Sequence, residues 1–389
     1  MCLACSGLLA YAEADGGNHE CALVVPARRG PRRSSTAIDF VRTGVGGTGP
    51  HSLRQAGGVP LNAGKLPAHL LSRLLVGTRP LPPEVLLGPV LGEDACAIEV
   101  PAGVLVAATD PITLTAQGLG RYAVTVNAND VAVTGARPRW FLAVVLLPPG
   151  TSEGEVGLLF AEMQTTLRAA GIALVGGHTE VTGAVSQPVV VGQMLGLAEN
   201  DHFVKTGGIR VGDVVLQVGQ APVEGAAVIA HEGVALLGAV DQALVRAAGA
   251  ALDSPGISVV EPALLAARLG ATAMHDPTEG GLAAGLHEMA AASGVRLRVD
   301  KAHSLWWGPA LALCHAVGAD PWATLASGTL LAAFRAAEAT EVAEAFAAAG
   351  HKAALIAVAE DGEGVIDKAG DPLQWPERDE LSRVLADLH

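Results

Sequence analysis

The sequence predicts a two-part α+β protein, and three observations carry that prediction. From Leu61 onward, short apolar strands and amphipathic helices follow one another without the regular strand–helix rhythm of a doubly wound parallel sheet. The 389 residues are 50% hydrophobic and 16% charged, which supplies a large core and argues against a disordered chain. A polar, glycine-containing stretch, ENDHFVKTGG at 199–208, interrupts the pattern. The expected segments are therefore 1–60, 61–200 and 201–389.

Residues 1–60 have no sustained period. They carry an arginine cluster (Arg28, Arg29, Arg32, Arg33) and read as a poorly ordered or atypical extension with at most a short strand at 22–25. KLPAHLLSRLL then reads as a short helix with Pro67 in its first turn. GVLVAATD is an apolar strand ending at Asp110, and RYAVTVNANDVAVTGARP a helix with Gly135 past its end and Pro138 beyond. WFLAVVLL is a buried strand. In TSEGEVGLLFAEMQTTLRAAG, Ser152 and Glu155 have capping-box spacing and Gly171 stops the helix. IALVGG and PVVVGQMLGLA read as strands flanking a polar loop, HTEVTG. The second part starts with the strand DVVLQVG and an alanine-rich helix at 224–239. It ends with SGTLLAAF and AALIAVA as strands around a helix at 336–349.

A net charge of −14 disfavours nucleic acid and anionic membranes as partners. Six Arg against four acids leave residues 1–60 at +2, so the acidity lies in the rest. No apolar run reaches the 18 or so residues of a membrane span, and no basic region precedes a long apolar core at the start. The cytoplasm is the expected compartment. Five scattered cysteines do not form a disulfide framework. Cys2, Cys5, His19 and Cys21 could ligate zinc or remain free thiols, whereas Cys96 and Cys314 lie in apolar segments.

Three carboxylates stand beside apolar runs: Asp94 in GEDACAIEV, Asp110 at a strand end, and Asp130, which shares a helix face with Asn127. Burying such groups is costly unless they are paired or bind metal, and Mg²⁺ with nucleotide phosphates would account for all three. Each is equally readable as a turn or cap residue. GGHTEVTG presents His178, Thr179 and Glu180 after Gly176 and Gly177. In HDPTEGGLAAGLHEMAAASG, Leu282, Leu286 and Met289 form a helix face ended by Gly294. The head of that stretch, with Asp276, Thr278, Glu279, Gly280 and Gly281, reads either as a cap or as an anion site at the helix N-terminus. There is no P-loop, G-x-S-x-G or H-E-x-x-H motif.

Eight segments in order resemble the ATP-binding aminoimidazole ribonucleotide (AIR) synthetase superfamily. They are GKLPAHLLSRLL, GEDACAI, ATDPIT, VNANDVAVTGARPRW, GGHTEVT, TGGIRVGD, VEGAAVIAHE and HDPTEGGLAAGLHEMAAASG, spanning roughly 63–360. The resemblance implies an N-terminal α+β domain whose sheet closes a barrel across a homodimer, and a C-terminal α+β domain. It implies ATP and Mg²⁺ as cofactors, with Asp94, Asp110 and Asp130 as metal and catalytic carboxylates and His178 beside them. Lys65, Asn127, Asn129, Gly176, Gly177, Thr179, Glu180, Asp276, Thr278, Gly280 and Gly281 are its implied nucleotide contacts.

The texture is most similar to the hydrogenase-maturation HypE branch, although no cysteine follows Cys314 where that branch carries a cysteine-bearing tail. No Cys adjoins Gly64–Lys65 as in selenide water dikinase, and no His-Phe pair follows Asp110 as in thiamine-monophosphate kinase. The expected activity is transfer of the ATP γ-phosphate to an oxygen of a small-molecule or carbamoyl-type acceptor. The alternatives are a non-catalytic, nucleotide-binding maturation partner, and a metabolic kinase with Arg121, Arg137 or Lys205 contacting an acceptor phosphate.

Overall fold

The computed structural model describes residues 61–386 except 62–63, 66–67, 78–79, 88–96, 101–102, 114–116 and 199–202. Asp94, Cys96, the arginine cluster, the strand expected at 22–25 and the zinc candidates Cys2, Cys5, His19 and Cys21 lie outside the described residues.

Residues 64–198 build the first sheet. Its strands are β1 (Gly64–Lys65), β4 (Leu105–Ile112), β5 (Ala136–Leu147), β6 (Ala173–Val181) and β7 (Val189–Ala198), in the order β1-β6-β5-β7-β4. Only β5 and β6 run parallel. β2 (Val85–Leu87) and β3 (Ala97–Ile98) form a separate antiparallel ribbon, and α1 (Ala68–Val76) precedes them.

α2 (Leu119–Ala132) and α3 (Glu153–Ala170) cover one face of this sheet. Phe141, Val145 and Leu147 of β5 pack there against Val124, Val131, Leu159 and Met163. Each fully buried side chain of this kind stabilises the fold by about 1.5–3 kcal/mol. α3 has the expected capping box: Ser152 Oγ accepts from the Glu155 amide and Glu155 Oε2 accepts from the Ser152 amide at 2.7 Å. Gly171 ends it in the left-handed region.

The second sheet comprises β8 (Asp213–Val218), β9 (Ala273–His275), β10 (Arg296–Val299), β11 (Leu330–Arg335), β12 (Ala353–Glu360) and β13 (Gly364–Asp367). Its order is β13-β10-β12-β8-β11-β9. α7 (Gly281–Ser293) lays Leu282, Leu286 and Met289 on one face. α6 (Val260–Arg268) and α9 (Ala339–Ala348) cover the other with Ala263, Ala266, Val342 and Phe346. Covered on both sides, β8 is buried along its whole length, Asp213 and Gln217 included. α4 (Val223–Glu232), α5 (Gln242–Gly249), α8 (Gly308–Val317) and α10 (Glu380–Val384) pack together at one end, with Cys314 buried among them.

Three expectations change. HTEV is strand, not loop, because β6 is paired on both sides, with β1 through Val181 and Glu180 and with β5 through His178. The helix expected over 224–239 stops at Glu232, where Gly233 follows; a 3-10 turn at Val234–Leu236 comes next, and the following α-helix begins at Gln242. β4 continues past Asp110 through Pro111, which an edge strand paired only with β7 tolerates. Among the described residues no helix is long and apolar enough to cross a membrane.

Candidate active site

Strand alternation turns Thr109 and Pro111 outward and leaves Asp110 half-buried on the helix-covered side of β4. Asn127 fixes its peptide. Asn127 Oδ1 accepts from the Asp110 amide at 2.8 Å, while Nδ2 donates to the Asp110 carbonyl at 3.2 Å and to Ala123 O at 2.9 Å. The carboxamide fits because Gly192 stands opposite Asp110 in β7, where a Cβ would overlap the Asn127 amide nitrogen. Asp130 lies three residues on along α2. Burial and then the charge of Asp110 push its carboxyl to about 7, and burial raises Asp110 as well.

The second sheet contributes to the same cluster. Asp276, directly after β9, is almost wholly buried and its Oδ2 has no hydrogen-bond partner. Its carboxyl stands well above the usual range because of burial first, then Asp130, with Asp110 and Glu224 adding to the effect. Glu224, in the first turn of α4, is pushed to about 7 by burial, opposed by the Ser327 hydroxyl beside it and reinforced by Asp379 and Glu279. No cation enters the balance at Asp110, Asp130 or Asp276. Buried charges of one sign without a counterion are unstable unless protonated or bridged by a metal. Among the described residues no three His, Cys, Asp or Glu side chains form a metal cage of their own. A cation here would therefore take further ligands from a phosphate, as Mg²⁺ commonly does.

The other predicted residues divide. Gly176, Gly177, His178, Thr179 and Glu180 lie along β6, with His178 Nε2 3.4 Å from Glu180 Oε2, and Lys65 is in register with Glu180. Two strands separate β6 from β4, so His178 stands about 14 Å of strand spacing from the Asp110 strand. The structure thus does not group His178 with the aspartates. Asn127 and Asn129 are both fully buried, and their carboxamides are engaged within the chain.

The head of α7 carries no side-chain cap, and its N-cap is Gly280. The Gly280 amide donates to Asp379 Oδ2 at 2.8 Å, Gly281 N to Thr278 O at 3.0 Å, and Ala283 N to Trp322 O at 2.9 Å. These amides are engaged inside the chain, and the glycine at 281 admits the Trp322 and Thr324 carbonyls, each 2.6 Å from where a Cβ would sit.

The candidate anion contacts are otherwise occupied. Arg121 pairs with Asp253 at 2.7 Å, Arg137 with Glu261 at 3.2 Å, and Lys205 lies over the Phe203 ring. A cavity of about 320 Å³ between α2, α3 and the start of α6 includes none of the acidic cluster. Sequence reasoning missed Glu224 and Tyr122, whose buried hydroxyl has no hydrogen-bond partner. A lone acid in the apolar run PVEGAAVIA was the available signal for Glu224.

Comparison with known proteins follows the same division of the chain. Residues 92–198 match the family described as AIR synthase related protein, N-terminal domain, and residues 210–368 its C-terminal domain. The carbamoyl dehydratase HypE of Rhodobacter capsulatus is 29% identical over 263 residues, covering 67% of this chain and 74% of that protein. The carbamoyl dehydratase HypE of Escherichia coli strain K12 is 31% identical over 268 residues, covering 66% and 74%. In fold, the crystal structure of E. coli HypE superposes with a TM-score of 0.67 at 24% identity, over 80% of this chain and 97% of that one. HypE in complex with ATP gives a TM-score of 0.67 at 21% identity, covering 80% and 94%, and the HypE–HypF complex 0.60 at 21%, covering 70% and 90%.

Proposed function

The chain belongs to the AIR synthase-related family, on its HypE-like branch, and from that premise we propose that it is an ATP- and Mg²⁺-dependent enzyme moving the ATP γ-phosphate onto a small-molecule or carbamoyl-type oxygen. One observation carries the reading: the buried Asp276 Oδ2 has no hydrogen-bond partner, and the charges of Asp130 on α2 and Asp110 on β4 act on its carboxyl. That donor set is all hard oxygen and uncompensated negative charge, which fits Mg²⁺. Asp110 and Asp130 would hold the metal with Asp94, and Asp276 would close the site from the second sheet. Bound Mg²⁺ supplies charge neutralisation for the triphosphate oxygens.

This chain's residues do the positioning. Asn127 orients the Asp110 peptide, and α2 sets Asp130 beside it. Gly176, Gly177, Thr179, Glu180 and Lys65 offer a strand rim for the nucleotide, and His178 works there beside Glu180. As the acceptor oxygen forms its bond to the γ-phosphorus, the bond to the β–γ bridging oxygen breaks and ADP leaves. A carbamoyl-type acceptor is favoured by the name shared by the HypE relatives.

The homodimer belongs to the same reading. On the face of the first sheet away from α2 and α3, Val144, Leu146, Val189 and Val191 remain half-buried between fully buried neighbours. Such an apolar sheet face suits a second copy of the chain.

The test is ATP binding with and without Mg²⁺, followed by phosphate release. Asp110→Asn should lose the Mg²⁺-dependent part of both; unchanged turnover in that variant would remove Asp110 from the site. A second reading, a maturation partner that binds nucleotide and docks another protein without turnover, draws on the likeness to HypE in the HypE–HypF complex. Steady phosphate release by the purified chain would exclude it.

A further inference from the structure

Asn129 stands one residue before Asp130 and has no exposed surface. Its carboxamide reaches away from the first sheet to the segment that leads into α6. Nδ2 donates to Ile257 O at 2.8 Å and Oδ1 accepts from the Val259 amide at 2.8 Å. The pair of bonds reproduces one rung of a β-ladder, with a side chain in place of a strand. Ile257 also lies close to the 326–329 turn, where a Cβ on Gly328 would sit 2.9 Å from Ile257 Cα. The same turn is tied to the loop carrying Asp276, because the Ala326 amide donates to Thr278 O at 3.2 Å. A continuous path of contacts thus runs from Asn129 through Ile257 and the turn to Thr278, two residues from Asp276. Its two ends lie one residue from Asp130 and two residues from Asp276, whose charges act on one another.

Facing carboxylates repel one another when no cation lies between them, so their spacing needs a mechanical restraint. We propose that Asn129 is a positioning residue that sets the distance between Asp130 and Asp276 and thereby the affinity for a phosphate-bound divalent cation between them. The inference rests on reading the acidic cluster as the nucleotide–metal site. Asn129 touches neither metal nor nucleotide; it acts through Ile257 and Val259. A residue that merely stabilised the fold would weaken the protein equally whether or not Asp276 carries a charge.

The experiment is a double-mutant cycle on the full chain, reading the dissociation constant of ATP with Mg²⁺ and with EDTA. Asn129→Ser should weaken Mg²⁺-dependent binding at least tenfold and leave the metal-free value within twofold. In an Asp276→Asn background the same substitution should change binding less than twofold, since the group it positions is gone. Effects that simply multiply, or an Asn129→Ser protein that binds like wild type, would overturn the inference. Hydrogen exchange in the unsubstituted chain gives a second reading that does not depend on the variant folding. Mg·ATP should slow exchange of the Val259 amide in wild type but not in Asp276→Asn; no change in wild type would overturn it. Wild type without any Mg²⁺-dependent binding would instead sink the reading of the site, and the inference with it.

Discussion

The Asp379 carboxylate joins the starts of two helices. Its Oδ1 accepts from the Leu381 amide at 2.8 Å and caps α10, while Oδ2 accepts from the Gly280 amide at 2.8 Å ahead of α7. The side chain is buried, so losing it leaves the Gly280 amide without a partner and α10 without its cap. Asp379→Ala should cost about 2–4 kcal/mol in chemical denaturation, the sum of a lost cap and an unsatisfied buried donor. Asp379→Asn, which keeps one acceptor oxygen, should lose less. Equal losses for the two variants would mean that only the charge matters.

Stability of the unliganded chain should fall as pH rises through neutrality. Glu224 and Asp130 are each pushed to about 7, above the value near 4 of an unfolded carboxylate. Between those values the folded chain holds more protons than the unfolded one, so the stability of the protonated form is lost as pH climbs through 7. Each group removes about 1 kcal/mol between pH 6 and 8. Melting curves over that range should be shallower for Glu224→Gln, which has no proton to release. Parallel curves would take Glu224 out of the account.

Asp276→Asn should stabilise the unliganded protein at pH 8 while weakening, without abolishing, its stabilisation by Mg·ATP. The substitution removes an uncompensated buried charge, and sites of this kind commonly trade stability for function. Wild type at nucleotide about 100 times its dissociation constant should gain roughly 2.7 kcal/mol. A variant that is less stable and responds to Mg·ATP as fully as wild type would contradict the proposed role.

Gly192→Ala should damage the site without touching a carboxylate. The added methyl group would displace the Asn127 carboxamide and free the Asp110 peptide. The expected cost is about 1–3 kcal/mol in stability, with weaker Mg·ATP binding by calorimetry. Binding unaltered at reduced stability would show that Asn127 does not orient Asp110.

The outer face of the first sheet predicts a dimer. Val144 and Val191 stand opposite one another in register, and both are half-buried. Light scattering should give twice the chain mass, and Val191→Arg should give a folded monomer. A wild-type monomer would leave that apolar face to another partner.

Features made by neighbours in the chain were readable before the structure. Ser152, Glu155 and Gly171 bound α3 because a capping box and a left-handed glycine act within one turn. Leu282, Leu286 and Met289 were correctly placed on one helix face, since that needs only period. What escaped depends on distant partners. HTEV looks like a loop beside Gly176 and Gly177, and only its pairing with β1 and β5 makes it strand. Asn129 stands beside Asp130 in the sequence, while the partners of its carboxamide, Ile257 and Val259, lie 128 and 130 residues away. The polar head of α7 resembles a cap, but Asp379, 99 residues away, takes the Gly280 amide.

The Asn129–Ile257 bond closes a loop of 128 residues, and the neighbouring Asp130–Asp276 juxtaposition joins segments similarly remote. Contacts of such long range form late, after local helices and hairpins have condensed. A chain arrested with its two sheets formed but undocked would have its secondary structure and most of its core, yet no assembled acidic pocket. Nucleotide capture would then be a property of finished molecules alone, and ATP in the surrounding solution would draw the last folding step to completion.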